Sequence, residues 1–140
     1  MDSYHQETLA AGLAAHEAGD FLVAEGLYQE ALKSHPDHGD LNHAMGLLMI
    51  MLEKPALSLE YLRKALHARP DRSGLWLDYL HGLMGDFRIP EAWEVLKQAR
   101  ELAIDSEQLD CFEAELLLFI SEHNLRSASE SSHHRDTLTS

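Results

Sequence analysis

The sequence predicts an all-α solenoid, in which three pairs of helices are stacked along the chain and followed by a C-terminal capping helix. The segment "ALKSHPD" at 31–37 returns as "ALHARPD" at 65–71, so its alanine, leucine, proline and aspartate recur at one constant offset, the repeat period. Between these segments apolar residues recur at helical spacing, and a breaker interrupts the pattern in mid-repeat and again at its end. Because a fixed period of this length is typical of repeat architectures, we expect each unit to form one helix pair.

The first two units, residues 5–38 and 39–72, follow this period closely. Gly12 and Gly46 occupy the same position of the two units. We expect both to lie where paired helices approach closely, because a larger side chain there would overpack the contact. Pro55 suits the first turn of a second helix, where the missing N–H costs nothing.

The third unit, residues 73–106, follows the period less strictly. Its apolar residues still recur at the expected repeat positions, as at Trp76, Leu83 and Leu96. The segment "GDF" at 85–87, however, lies two residues earlier than the period would place its counterpart in the first unit. The sequence therefore predicts a third helix pair but leaves its internal register open.

The last segments are predicted to be a capping helix at about 106–123, which completes a domain of residues 1–124, and a disordered tail at 125–140. A solenoid needs such a cap to cover the apolar face of its last repeat. One apolar stripe has helical spacing, formed by Leu109, Phe112, Leu116 and Phe119. A second stripe, which is either additional core or a homodimer surface on this terminal helix, is formed by Cys111, Ala114 and Leu118. The Ser-rich and His-rich tail has no apolar period with which to order itself.

The three units resemble the tetratricopeptide repeat family over about residues 5–106. The family's small, aromatic and proline positions are matched in the first unit by Gly12, Ala15, Ala24, Tyr28, Ala31 and Pro36. In the second unit they are matched by Gly46, Met49, Ser58, Leu62, Ala65 and Pro70. In the third they are matched by Trp76, Leu83, Ala92, Leu96 and Ala99, whereas Ile104 stands where proline is expected.

This resemblance implies a right-handed superhelix whose first helices line a concave groove, and a non-catalytic module for protein–protein interaction. The groove residues that it implies are Leu9, Leu13, His16, Asp40, His43, Leu47, Ile50, Met51, Leu77, His81 and Met84. Such an aliphatic and Met-rich surface suits a protein or peptide partner with an apolar or amphipathic segment. Relatives that hold the C-terminal carboxylate of chaperones use basic and amide side chains at five groove positions. None of the five matches here, where they read Leu9, Leu13, Ala44, Gly74 and Asp78.

The net charge of −13 is concentrated at the two ends of the chain. Residues 1–32 and residues 105–122 each carry six acids and no lysine or arginine. This distribution argues against nucleic acid and against an anionic membrane surface, and it would favour a basic partner. With no basic signal region and a lone cysteine, we expect a cytoplasmic protein.

The segment "HPDHGDLNH" at 35–43 raises the question of a metal site, because His35, His38 and His43 are potential ligands. The equivalent turn at 69–71 reads "RPD", so His35 occupies an ordinary turn position. We therefore predict no metal site. No cofactor motif or catalytic arrangement is present in the sequence either, and we predict that the chain is not an enzyme.

Two alternatives remain open for the biological setting. The amino-acid sequence of the repeats is similar to that of the N-terminal tetratricopeptide segments of some bacterial glycosyltransferases. This similarity would make the chain a segment that serves a catalytic domain. The other alternative is a bacterial secretion chaperone, and it rests only on size, acidity and repeat number.

Overall fold

The structure is a computed structural model that describes the backbone of residues 2–102 and 104–139 and the side chains of 3–102 and 104–124. These described residues form seven α-helices and no strand. The helices are α1 (Asp2–Glu17), α2 (Phe21–Ser34), α3 (Gly39–Met51), α4 (Pro55–Ala68), α5 (Ser73–Gly85), α6 (Ile89–Glu101) and α7 (Ser106–Thr139). The chain divides into two compact units, of which the first holds α1 to α6 and the second holds α7.

The first unit consists of three helix pairs, as predicted. Its second helices begin at Phe21, Pro55 and Ile89, and the first helices of the later pairs begin at Gly39 and Ser73. Each of these starting points lies one repeat period from its counterpart. The third pair therefore keeps the strict period, and the early "GDF" segment does not shift its register.

The turn inside each pair has the same backbone geometry. One residue of each turn has a positive φ, namely Gly19 (83°), Glu53 (60°) and Phe87 (59°). The next N–H reaches back five residues, from Asp20 to the Ala15 carbonyl (2.8 Å), from Lys54 to Met49 (2.8 Å) and from Arg88 to Leu83 (2.9 Å). This is the Schellman arrangement, which satisfies the last carbonyls of a helix with a residue in the left-handed region.

In the first two pairs, the helices approach each other closely at one glycine. A Cβ added to Gly12 would lie 2.3 Å from the Tyr28 ring, and one added to Gly46 would lie 2.5 Å from a Leu62 methyl. Tyr28 and Leu62 are themselves fully buried. The absence of a side chain at these glycines lets large residues from α2 and α4 fill the space between the paired helices.

Consecutive repeats are joined by a hydrogen bond that the sequence did not predict. The Asn42 amide Nδ2 donates to the Pro36 carbonyl at 3.0 Å, and the Trp76 indole Nε1 donates to the Pro70 carbonyl at 2.8 Å. The two donors are one repeat period apart, and so are the two acceptors. In both cases the first helix of one repeat binds the turn that ends the repeat before it.

The second unit was expected to be a cap with two apolar stripes. Leu109, Phe112 and Leu116 of the first stripe are buried. The second stripe is exposed, with Leu118 62% accessible, so it is not additional core. The capping role and the homodimer surface remain predictions.

The helical backbone of α7 continues to Thr139, across the tail that composition predicts to be disordered. The side chains of 125–140 lie outside the described residues, and disorder of this segment remains a prediction. No helix in the described part of the chain is both long enough and apolar enough to cross a bilayer.

The glycine contact can be tested with a matched pair of variants. Gly46→Leu should lower the free energy of unfolding by about 1–3 kcal/mol or more, because the new side chain overlaps Leu62. Gly26→Leu should instead raise it by roughly 0.5–1 kcal/mol, since Gly26 is helical with open space around it. Urea unfolding followed by circular dichroism measures both, and equal losses would contradict the predicted contact.

The turn geometry gives a second test. Glu53→Gly should raise the free energy of unfolding by a few tenths to about 1 kcal/mol, because glycine tolerates the positive φ that strains glutamate. Gly19→Ala should lower it by about 1 kcal/mol although no atom crowds the new methyl group. A stabilised Gly19→Ala variant in the same unfolding assay would show that the left-handed turn is wrong.

Candidate binding groove

The eleven residues predicted to line the groove lie on the first helix of each repeat. Helix α3 contacts both α1 and α5, so these three helices lie side by side. We call the surface formed by the eleven residues the first-helix face. None of the eleven is buried: each side chain is half-buried or exposed.

The apolar side chains of this face differ in their exposure to solvent. Met51 is 55% exposed and Leu13 is 43% exposed, whereas Leu47 and Ile50 are half-buried. Ala44 is only 5% exposed and lies beneath them as part of the core. A partner on this face would therefore meet methyl and thioether groups that are accessible but supported from below.

Two polar side chains of the face, His43 and Asp40, pair with residues that lie just outside the eleven. His43 Nε2 on α3 lies 2.6 Å from Asp78 Oδ2 on α5, with each side chain about 30% exposed. At the edge of the face, Arg72 Nη1 lies 3.3 Å from Asp40 Oδ1. The sequence identifies Asp40 and His43 but does not predict either pair, because the partners are distant along the chain.

The three histidines of the face do not share one environment. The ring of His16 contacts Phe21 edge-on, with ring centroids 5.7 Å apart, whereas His43 pairs with Asp78. His81 is half-buried on α5. The three histidines therefore lie on three different helices and do not form one cluster.

A different histidine cluster forms where α1 meets the turn that follows α2. His5 of α1 lies with its ring centroid 4.5 Å from that of His35 and 4.7 Å from that of His38. His5 is 7% exposed, and its Nδ1 has no hydrogen-bond partner.

The sequence did not single out His5, although the repeat period contains a signal. The equivalent position in the second repeat is Gly39, where an added Cβ would lie 3.2 Å from Ala68. Ala68 is in turn the equivalent of Ser34, the residue before His35. The second repeat therefore shows that this position faces the end of the second helix, which is where His5 meets the other two rings.

This cluster bears on the metal question raised by residues 35–43. His43 is not part of it, since His43 pairs with Asp78 instead. His38 is the N-cap of α3, and its Nδ1 accepts the Leu41 N–H at 3.2 Å. Within the described residues, no group of three or more His, Cys, Asp or Glu side chains is arranged to hold a metal ion.

The surroundings of His38 favour its neutral form. Burial is the largest cause that lowers the pKa of His38 below 6.5, and the neighbouring His5 and His35 add to it, while Asp40 acts in the opposite direction. A neutral imidazole also suits the cap, because a protonated Nδ1 cannot accept the Leu41 N–H.

No protein-family model matches the sequence, and no curated protein matches it. Solved structures do match. The Sgt2 TPR domain of Aspergillus fumigatus superimposes with a TM-score of 0.72 at 17% identity, over 86% of this chain and 82% of that one. The chain has a tetratricopeptide-repeat fold.

Two further structures share the tetratricopeptide-repeat fold. The first TPR of Spaghetti (RPAP3), bound to the HSP90 peptide SRMEEVD, matches with a TM-score of 0.67 at 14% identity, over 81% of this chain and 93% of that one. The Thermobaculum terrenum O-GlcNAc transferase matches with a TM-score of 0.65 at 22% identity, over 77% of this chain but only 21% of the transferase. At these identities the likeness establishes the fold and not the activity.

The histidine cap predicts how stability depends on pH. Since the pKa of His38 is lower in the folded state than in the unfolded state, the unfolded chain binds more protons, and stability falls as the pH drops below about 6.5. His38→Asn keeps a capping acceptor that does not titrate. Between pH 7.5 and pH 5.5 the wild type should therefore lose up to about 1.4 kcal/mol more than the variant, since one proton over one pH unit is worth about 1.4 kcal/mol.

Thermal unfolding of both proteins at the two pH values measures this difference. The histidines outside the cluster of His5, His35 and His38 are common to both proteins and cancel in the comparison. Identical pH dependence would show that His38 does not titrate as the cap requires.

Proposed function

We propose that the chain is a non-catalytic protein-interaction module that binds an apolar or amphipathic peptide or helix in the groove formed by the first-helix face. The observation that carries this proposal is the composition of that face. Its exposed apolar side chains include Met51 and Leu13, while its polar residues Asp40 and His43 are already paired with Arg72 and Asp78. Apolar anchors in the centre of a surface usually supply most of the binding energy of a peptide complex.

The charge of the chain favours a partner with basic residues beside its apolar ones. Asp40 and Asp78 are already paired with Arg72 and His43, so the attraction comes mainly from the acidic segment at 1–32 and the net charge of −13. Such an attraction acts at long range and weakens as salt is added. We therefore expect affinity for a basic amphipathic peptide to fall with ionic strength, whereas the apolar contribution should persist.

A partner that ends in an acidic segment fits this face poorly. The peptide in the Spaghetti complex, SRMEEVD, is acidic. Leu9, Leu13 and Ala44 supply no charge here, Gly74 has no side chain, and the Asp78 carboxylate would repel an anion. The SRMEEVD peptide therefore serves as a negative control for binding experiments.

The likeness to the Thermobaculum terrenum transferase supports one alternative, in which this chain is a tetratricopeptide segment serving a glycosyltransferase domain. The match covers only 21% of that transferase. In that setting the groove would still bind protein, and the catalytic groups would lie outside these 140 residues. The secretion chaperone rests on size, charge and repeat number, and the lone cysteine supports a cytoplasmic location for either setting.

A central leucine of the face provides the test. Leu47→Asp should weaken the binding of a peptide selected from a displayed library by at least about 2 kcal/mol, near thirtyfold, because it places a charge among the apolar anchors. Calorimetry with purified protein measures the affinity, and circular dichroism checks the fold. Met51→Asp, at a more exposed position, should act in the same direction.

The matched control is Leu22→Asp, which makes the same chemical change at an 84% exposed leucine on α2. It should leave affinity within about twofold, since it lies outside the face. Equal losses in the Leu47 and Leu22 variants would assign the effect to added negative charge. Undiminished affinity in the Leu47 and Met51 variants would move the binding site away from the first-helix face.

A further inference from the structure

A cavity of about 520 Å³ lies between the second and third repeats, away from the first-helix face. Its floor is formed by Trp76 and Tyr79 of α5, and its walls come from α4 and α6. Successive helical residues are about 100° apart, so Trp76 and Tyr79 point away from the side of α5 that carries Leu77 and His81. The volume falls within the range of about 300–1,000 Å³ that is typical of small-molecule sites.

The comparison between repeats explains why this cavity is open. Val95 lines it, and the equivalent residue of the second repeat is Tyr61. Tyr61 packs against the buried core of α2 and α3. Where the second repeat places a phenol ring, the third repeat has only a valine, and the space between α4 and α6 remains unfilled.

The floor of the cavity is held in place before any ligand arrives. Trp76 is 6% exposed, and its indole N–H is fixed by the Pro70 carbonyl at 2.8 Å. Burial, and to a lesser extent Glu91, raise the pKa of Tyr79 above 10, so its hydroxyl keeps a proton that it can donate at neutral pH. The floor thus offers two aromatic surfaces and one hydroxyl donor.

The rim of the cavity carries the guanidinium of Arg63 and the imidazole of His67, both on α4. Among the described residues, no acidic side chain lines it. A second cavity of about 360 Å³ shares these two residues and adds Lys64, with Asp37 as its one acid.

Arg63 is bound to Glu60 through Nε at 3.2 Å and Nη2 at 2.7 Å. Both side chains are more than half exposed. Since an exposed pair of this kind contributes about 1 kcal/mol or less, an incoming anion can replace the Glu60 carboxylate.

We propose that this cavity binds a small amphipathic carboxylate, whose apolar body lies on Trp76 and Tyr79 and whose carboxylate meets the Arg63–His67 rim. The aromatic floor accounts for the apolar body, and the Arg63 guanidinium, whose exposed Glu60 partner can be displaced, accounts for the anionic group. A carboxylate matches the planar donor geometry of a guanidinium, which can bind it through two N–H groups. The site is separate from the groove, so both can be tested on the same protein.

The test uses 4-phenylbutyrate and its uncharged analogue 4-phenyl-1-butanol as probes of the full-length chain. The protein has two tryptophans, so the indole N–H resonance of Trp76 reports on the cavity and that of Trp93 is an internal control. With 4-phenylbutyrate the Trp76 resonance should shift until it saturates, while the Trp93 resonance stays in place. Leu47→Asp should not change this titration.

Two variants replace a residue at the cavity with the residue found at the equivalent position one repeat earlier. Val95→Tyr introduces the residue found at position 61 and should abolish binding of both probes by filling the cavity. Arg63→Gln introduces the residue found at position 29. It should weaken 4-phenylbutyrate about tenfold, the value of one charge-assisted hydrogen bond, while leaving the alcohol within twofold.

Three results would overturn the proposal. The first is a lack of any saturable Trp76 shift with 4-phenylbutyrate, and the second is an unchanged titration in Val95→Tyr. The third is an equal loss for acid and alcohol in Arg63→Gln, which would remove the role of the carboxylate. Arg63 is exposed, so its variant keeps the test available if Val95→Tyr fails to fold.

Discussion

The approach of paired helices at Gly12 and Gly46 is the constraint on which the rest of the first unit depends. With no side chain at these positions, Tyr28 and Leu62 occupy the space between the helices and become fully buried. The left-handed turn then returns the chain at the same place in every repeat. Because this turn recurs at one period in all three pairs, the first helices lie side by side and present a common face.

Most of the fold could be predicted from the sequence, because the features that repeat are visible in the sequence itself. These features are the helix breakers, the small residues and the spacing of apolar residues. The register of the third repeat could not. Its "GDF" segment suggested a shift, whereas the structure keeps the period and places Phe87 at the positive φ that Gly19 adopts in the first repeat. Glycine is the usual signal for such a turn, and here the packing of the flanking helices imposes it on a residue that does not favour it.

The candidate site was predictable only in part, for a related reason. Repeat positions identify which residues lie on the first-helix face, but they do not reveal how those side chains pair. The contact of His43 with Asp78 joins neighbouring helices, and the cluster of His5 with His35 and His38 joins α1 to the turn that follows α2. Such contacts depend on side-chain length and direction after folding. The same applies to the cavity beside Trp76, which results from the smaller residue at position 95 rather than from any motif.

The hydrogen bonds that join consecutive repeats show what residue-by-residue comparison overlooks. Asn42 and Trp76 are chemically unlike, and a substitution score treats their alignment as a mismatch. Yet each delivers one side-chain N–H to the carbonyl of the proline before it. The position thus requires a donor of suitable reach and tolerates very different side chains that provide one. A repeat protein can therefore diverge in amino-acid sequence while its architecture is retained. This accounts for strong structural likeness at 14–22% identity.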